Sequence, residues 1–189
     1  MSRLNGTVER ISKIIKNLRH FARDGEKDPM TSVPLNRIIE DTLSLCAERF
    51  KNAEIPVDLN LSYTGNIECR EIQISQVILN LLGNAFDAIE NLPEKWVKIE
   101  TSCSGNDIIL RITDSGHGIP MAVQNKMLNP FFTTKEVGKG TGLGLSISKG
   151  IIESHAGRLS VDNAVSNTAF VIQLPVRQRD SQGLGHTAA

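Results

Sequence analysis

Gly138-Lys-Gly-Thr-Gly-Leu-Gly-Leu-Ser-Ile-Ser-Lys149 is the stretch on which the reading of this chain turns. Glycine stands at 138, 140, 142 and 144, and Leu143 to Ser154 reads as a helix directly behind it. Glycine tolerates positive φ and lets backbone amides approach a ligand, while the first turn of a helix leaves N–H donors unpaired. A phosphate suits such a helix start. Taken alone, a glycine-rich loop is also compatible with an ordinary flexible surface segment, so the neighbouring sequence has to decide.

Upstream, a long helix is predicted from Glu71 to Asn91. Ile74, Val77, Ile78, Leu81, Leu82, Ala85, Ala88 and Ile89 fall on one arc at about 100° per residue. Asn80, Asn84, Asp87 and Asn91 fall opposite. A solvated face would ordinarily carry Lys, Glu, Gln or Arg, because Asn and Asp are poorer helix formers. Their oxygens, three and four residues apart, point the same way and suit a hard cation such as Mg²⁺. A solvated polar face is the alternative. Between this helix and the glycine loop lies Asp114-Ser-Gly-His-Gly118, where a strand delivers a carboxylate into a glycine turn. A buried Asp needs a donor, and the exocyclic amine of a purine is one. An ordinary Asp-Ser-Gly turn is the other reading of that motif.

The three motifs in this order resemble the catalytic ATP-binding domain of sensor histidine kinases. That domain belongs to the GHKL (HATPase) superfamily, shared with type II topoisomerases, mismatch-repair ATPases and heat-shock chaperones. Asn80 to Ala88 resembles the family's N box and Asp114 to Gly118 its first glycine box. Pro130-Phe-Phe-Thr-Thr-Lys135 resembles its F box, and Gly140 to Leu145 its second glycine box. The resemblance implies a Bergerat-type fold that binds ATP with Mg²⁺. Asn84, helped by Asn80, would hold the metal; Asp114 would bond the adenine amine; the amides of Gly140, Gly142 and Gly144 would hold phosphate. Asp87, Gly116, Gly118, Ile119, Phe131, Thr134, Thr141, Leu143 and Leu145 complete the nucleotide set that it implies. Residues from about Met121 to Thr141 would form a mobile lid, and Lys135 would touch the γ-phosphate. Asn80 and Lys135 are thus the candidate catalytic residues.

In the hydrolysing members of the superfamily a glutamate normally stands at the place of Asn80. An amide is a far weaker base, so slow hydrolysis is expected and phosphoryl transfer to a histidine is favoured. None of the histidines here suits that acceptor: His20 is followed by Phe-Ala-Arg, His117 lies in the glycine turn, His155 near a helix end and His186 in the tail. The chain is therefore expected to be part of a longer kinase whose acceptor lies elsewhere, passing phosphate on to the Asp of a response-regulator receiver domain. A slow ATPase or protein-serine kinase on the same scaffold stays open, as does a nucleotide-gated dimerisation module without transfer.

The whole chain is expected to be α+β: a two-layer sandwich of a mixed, mostly antiparallel sheet and helices, preceded by a helical arm. Residues 1–30 are read as that arm and its linker, with Leu4, Val8, Ile11, Ile15, Leu18 and Ala22 at coiled-coil spacing. The arm resembles the second helix of a dimerisation hairpin, which suggests a homodimer. Residues 31–177 form the ATP-binding domain, and 178–189 are expected to be a disordered tail. Further elements are expected as a helix capped by Asn36 and strands at Pro56–Leu61, Val97–Ser102, Ile108–Asp114, Leu159–Asp162 and Ala169–Leu174. The hairpin turn Asn163 to Thr168 lacks the glycines usual in the family.

Among the 189 residues, 40% are hydrophobic and 22% charged with a formal net charge of +0, which disfavours disorder and bulk-charge attraction of nucleic acid. The cysteines Cys46, Cys69 and Cys103 are odd in number and far apart, which argues against a disulfide framework or a paired metal motif. No apolar run spans a bilayer and no signal peptide opens the chain. A cytoplasmic location without membrane contact is expected for this piece, with membrane anchoring of a longer protein left open.

Overall fold

A computed structural model describes residues 29–136 and 140–178. The arm, most of the expected tail, and Gly138 and Lys139 of the glycine stretch lie outside the described residues. The elements run β1 (Thr31–Pro34), α1 (Leu35–Asn52), β2 (Val57–Leu61), β3 (Asn66–Cys69), α2 (Glu71–Ile89), β4 (Val97–Ser104) and β5 (Asp107–Asp114). They continue with α3 (Met121–Met127), α4 (Gly144–Ser154), β6 (Arg158–Val161) and β7 (Thr168–Pro175).

Five strands form one sheet in the order β2-β4-β5-β7-β6, parallel between β2 and β4 and antiparallel elsewhere. Its register sets apolar residues side by side across the strands. Ile99, Ile112, Phe170 and Val161 make one row, and Thr101, Leu110, Ile172 and Leu159 the next. Because side chains alternate between faces of a strand, these rows lie on one face, while Lys98 and Glu100 form an ion pair among the intervening residues of β4. The buried arc of α2 (Ile74, Val77, Ile78, Leu81, Leu82, Ala85, Phe86 and Ile89) joins the buried residues of the sheet and of α1 in one core. Helix α2 packs on α1, on α4 and on β5. The architecture is the expected α+β sandwich with a mixed, mostly antiparallel sheet.

Several local expectations need correction. Asn36 does not cap α1: Pro34 occupies the cap position with no side-chain bond, and the Asn36 Oδ1 is buried without a partner. The helix begins two residues earlier, directly after Pro34, which also closes β1. Strands β1 and β3 form a separate antiparallel pair whose four-residue lengths give too little alternation to be read from sequence. Ala88 is exposed despite its place on the apolar arc, and Phe86, not counted on the arc, is buried with Ile89, so the covered face of the last turn of α2 is rotated toward Phe86. The expected lid contains the helix α3. The described chain also reaches one residue into the expected tail, since the Gln178 backbone N–H donates to Glu68 Oε2 at 2.9 Å and its amide to the Glu68 carbonyl.

Buried His155 ties the two site helices together. Its Nε2 accepts from the backbone N–H of Arg70, just ahead of α2, at 3.1 Å, and its Nδ1 faces the Ile151 carbonyl of α4 at 2.7 Å. Burial holds its pKa below the usual range, so the neutral ring does this work. The three cysteines are free, and burial pushes the Cys69 thiol up to about 12.

Candidate functional site

Asp114 is the last residue of β5, between Val97 of β4 and Thr168 of β7, and is 2% exposed. The following turn is fixed by backbone bonds: the Ser115 N–H donates to the Trp96 carbonyl at 3.0 Å, and the Ser115 hydroxyl to that of Glu94 at 2.9 Å. Asp114 Oδ1 accepts from the Gly116 N–H at 2.8 Å. Desolvation pushes the carboxyl up to about 6, against the lowering effect of its bonds to Gly116 and Thr168. A carboxylate so placed is short of donors. Glycine at 116 lets the carboxylate sit where it does: a Cβ there would stand 2.6 Å from Asp114 Oδ1 and displace it.

The glycine-free hairpin turn after β6 covers this region. Asp162 Oδ1 accepts from the Ala164 N–H at 2.8 Å, an Asx turn that replaces glycine, while Asp162 Oδ2 pairs with Arg111. Asn167 donates to the Gly116 carbonyl at 3.2 Å, and Gln124 of α3 exchanges amide bonds with Asn163. His117 to Pro120, Val161 to Asn163 and Val165 to Asn167 line a cleft of about 400 Å³ beyond the Asp114 turn.

Asn80 and Asn84 project from α2, one turn apart. The Asn80 amide nitrogen reaches the Gly144 carbonyl at 3.4 Å and the Ser148 hydroxyl at 3.3 Å, tying α2 to the start of α4. Asn84 Oδ1 accepts from Lys135 Nζ at 3.3 Å, and Asp87 Oδ2 pairs with the same ammonium at 2.6 Å. Asp87 Oδ1 pairs with Arg49 of α1 at 2.6 Å. Desolvation would raise the Asp87 carboxyl, but the bonds and charges of Lys135 and Arg49 prevail and hold it below the ordinary carboxylate range. Oxygens of Asn84 and Asp87 thus face one cation, the lysine ammonium. Among the described residues no three His, Cys, Asp or Glu side chains cluster as metal ligands.

The glycine loop meets the F box residues. Gly142 has φ +67°, and a Cβ on it would lie 2.4 Å from the Phe131 carbonyl carbon; one on Gly140 would lie 2.7 Å from Thr133 Oγ1. Phe131 itself has φ 67°, uncommon for a non-glycine residue, and its side chain is exposed. Thr141 Oγ1 accepts from the Leu143 N–H at 3.4 Å, Leu143 is buried, and half-buried Leu145 and Ile119 pack on the core. Thr134 is exposed.

The structure thus joins Asn80 to Gly144, Asn84 and Asp87 to Lys135, and Phe131 to Gly142. Asp114 bonds instead within its own turn and to Thr168, and is linked to the rest through α2, which packs on both β5 and α4. Arg49, Ser148, Asn167 and Thr168 were not legible as site residues. Each acts through a partner at least 20 positions away in sequence or on a neighbouring strand, which no local spacing reveals.

Comparison with known proteins supplies the family. The profile of the family described as histidine kinase-, DNA gyrase B-, and HSP90-like ATPase matches residues 69–178. The sensor histidine kinase ZraS of Salmonella typhimurium is 35% identical over 92% of this chain and 37% of its own length. The C4-dicarboxylate transport sensor protein DctB of Rhizobium meliloti is 32% identical over 88% of this chain and 27% of its own. The chain spans well under half the length of these curated relatives. Among solved structures, the catalytic domain of the histidine kinase ThkA is 30% identical with a TM-score of 0.72, covering 80% of this chain and 98% of that one. From residue 69 to 178, motifs and fold agree: the chain belongs to the histidine kinase-, DNA gyrase B- and HSP90-like ATPase family.

Proposed function

We propose that this chain is the ATP-binding catalytic part of a two-component sensor histidine kinase, transferring the γ-phosphate of Mg-ATP to a histidine that is none of those in this chain. The observation that carries the choice of transfer over hydrolysis is Asn80. Its amide nitrogen faces Gly144 and Ser148, so the residue ties helix to loop, and an amide has no basicity with which to prepare water. Transfer needs alignment and charge neutralisation more than a base, so the same pocket serves a histidine that is brought to it.

In this reading Asp114 accepts from the adenine amine, and the turn of Gly116 and Gly118, with Ile119, receives the ring. The amides of Gly140, Gly142 and Gly144, with Thr141, Leu143 and Leu145 shaping the loop, meet the phosphates. Asn84, helped by the Asn80 side-chain oxygen, would hold Mg²⁺, which would supply charge neutralisation at the phosphates, while the Asn80 amide nitrogen keeps the loop in place. That fit is supported by the ammonium already seated on Asn84 and Asp87. Lys135 approaches the γ-phosphate, and Phe131 and Thr134, on the same loop, follow the nucleotide.

The partner is a response-regulator receiver domain; a ThkA structure described as a complex with the response regulator TrrA is 25% identical to this chain, with a TM-score of 0.74. The arm at residues 1–30, read as a dimerisation helix, makes a homodimer. A cytoplasmic location fits an ATP-dependent site, and among the described residues no helix is long and apolar enough to cross a membrane.

The test is transfer in trans. The chain, a separate helical fragment carrying an acceptor histidine, and Mg-ATP labelled at the γ-phosphate are mixed. Acid-labile label on the fragment, with none on the chain alone, supports the reading. Acid-stable label would point to a serine kinase, and rapid phosphate release without transfer to an ATPase.

A further inference from the structure

Lys135 lies on the segment after α3, outside any helix or strand, yet its ammonium has defined neighbours in Asp87 Oδ2 at 2.6 Å and Asn84 Oδ1 at 3.3 Å. Behind Asp87 stands Arg49, paired with the other carboxylate oxygen at 2.6 Å. The Arg49 guanidinium lies over the Phe86 ring, 3.7 Å from its centroid, and Phe86 meets Phe50 edge-on with centroids 5.4 Å apart. A continuous line of contacts therefore runs from a buried aromatic pair through Arg49 and Asp87 to Lys135 and Asn84. It joins α1, α2 and the F box segment.

The line has a physical consequence. A lysine on a loop is rich in rotamers, and ordering it costs free energy that must be met when a ligand binds. A carboxylate held at one oxygen by an arginine offers its other oxygen in a fixed direction and removes much of that freedom beforehand. An ammonium has three donors, so with Mg²⁺ taking the Asn84 oxygen the bond to Asp87 alone keeps Lys135 in place and leaves two donors for phosphate oxygens. Two cations around one carboxylate also leave an excess positive charge beside Gly140, whose Cβ position is 3.3 Å from Lys135 Cβ.

We propose that Arg49 and Asp87 are positioning residues that hold Lys135 beside Asn84 to meet the terminal phosphate of a nucleoside triphosphate, so that the site prefers triphosphate to diphosphate. The inference rests on the nucleotide reading above. It assigns to α1, outside the family's motif segments, a part in discriminating between substrate and product.

The experiment is calorimetric titration of the chain with a non-hydrolysable ATP analogue and with ADP, each with Mg²⁺. The variants are Lys135→Met, Asp87→Asn, Arg49→Met, Arg49→Lys and the double variant Arg49→Met/Lys135→Met. Lys135→Met is expected to lower the triphosphate preference about tenfold, and Asp87→Asn and Arg49→Met about three- to tenfold. Arg49→Lys restores most of it, and Arg49→Met adds nothing in the Lys135→Met background. The proposal is overturned if the preference rises in Asp87→Asn, as it would were the carboxylate only a competitor for the ammonium. It is equally overturned if Arg49→Met weakens both nucleotides alike, or acts undiminished without Lys135. Failure of the parent chain to bind either nucleotide would instead remove the nucleotide reading itself, and this proposal with it. Arg49→Lys, which keeps charge and stem, guards against misfolding of Arg49→Met; a folded Arg49→Lys without preference also counts against the proposal.

Discussion

The adenine end and the phosphate end of the candidate site are built in opposite ways. At Asp114 the backbone does the positioning: a central strand ends, Ser115 pins the turn, and a carboxylate is buried with its pKa pushed up to about 6. At Asn84 the side chains do it, through half-exposed ion pairs among Asp87, Lys135 and Arg49. The first arrangement is rigid and electrostatically costly before ligand arrives; the second is adaptable, its one carboxylate already paired. In the proposed reading one end meets a flat ring that never changes, while the other must handle a phosphate that leaves.

The largest effect that would sharpen this contrast belongs to Asp114→Asn. Loss of a charge-assisted bond to the adenine amine is expected to weaken ATP-analogue binding about 100-fold, measured by calorimetry. The same change is expected to stabilise the nucleotide-free domain at neutral pH by up to about 3 kcal/mol, seen in urea unfolding, because it removes an ionised buried carboxylate. The sign follows from the raised folded pKa: between about 4 and 6 the folded state binds more protons than the unfolded one, so this group's contribution to stability falls as pH rises. Asp114→Asn should flatten that part of the profile.

A smaller effect is expected at the other end. Gly142→Ala would place a methyl 2.4 Å from the Phe131 carbonyl carbon at φ +67°, and is expected to weaken nucleotide binding about tenfold. Gly150→Ala, on α4 with nothing within 4 Å of the new Cβ, serves as the control and is expected to stabilise by about 0.5–1 kcal/mol without changing affinity. Equal effects of the two would mean that the loop's conformation is not needed.

The pH dependence separates the ends again. Ionised Asp114 is the stronger acceptor for an amine, so affinity for the ATP analogue is expected to rise between pH 5 and 7 in the parent and to lose that rise in Asp114→Asn. The smallest effect concerns the clamp between the helices. His155 has a lowered pKa, so its contribution to stability is present above 6.5 and fades as pH falls below it, opposite in sign to Asp114. Urea unfolding of parent and His155→Asn at pH 5.5 and 7.5 checks this.

Those same two regions differ in how far the sequence disclosed them. Asp114, Gly116 and Gly118 were legible because their chemistry is local: a strand, a carboxylate and a glycine turn are consecutive residues. Asn80 and Asn84 were legible because poor helix formers at helical spacing demand a reason. The sheet was read nearly whole, since its apolar residues alternate over eight-residue strands such as β4 and β5. What escaped depends on distance along the chain. Arg49 reaches Asp87 across 38 positions and Asn167 reaches Gly116 across 51, and neither residue type is unusual where it stands. The short β1–β3 pair escaped because four residues carry almost no periodicity. Ala88 was misplaced because one arc was drawn for the whole helix, whereas the covered face of its last turn is rotated toward Phe86 and Ile89.

The claim beneath the rest is that Asp114 and Asn84 serve one nucleotide. Trp96, whose backbone N–H bonds Ser115 beside Asp114, gives a fluorescence signal for titrating an ATP analogue with and without Mg²⁺ into the parent, Asp114→Asn and Asn84→Ala. Saturable binding by the parent is expected, nearly abolished in Asp114→Asn, with Asn84→Ala losing only the part of the affinity that Mg²⁺ adds. Unchanged affinity in both variants would contradict it.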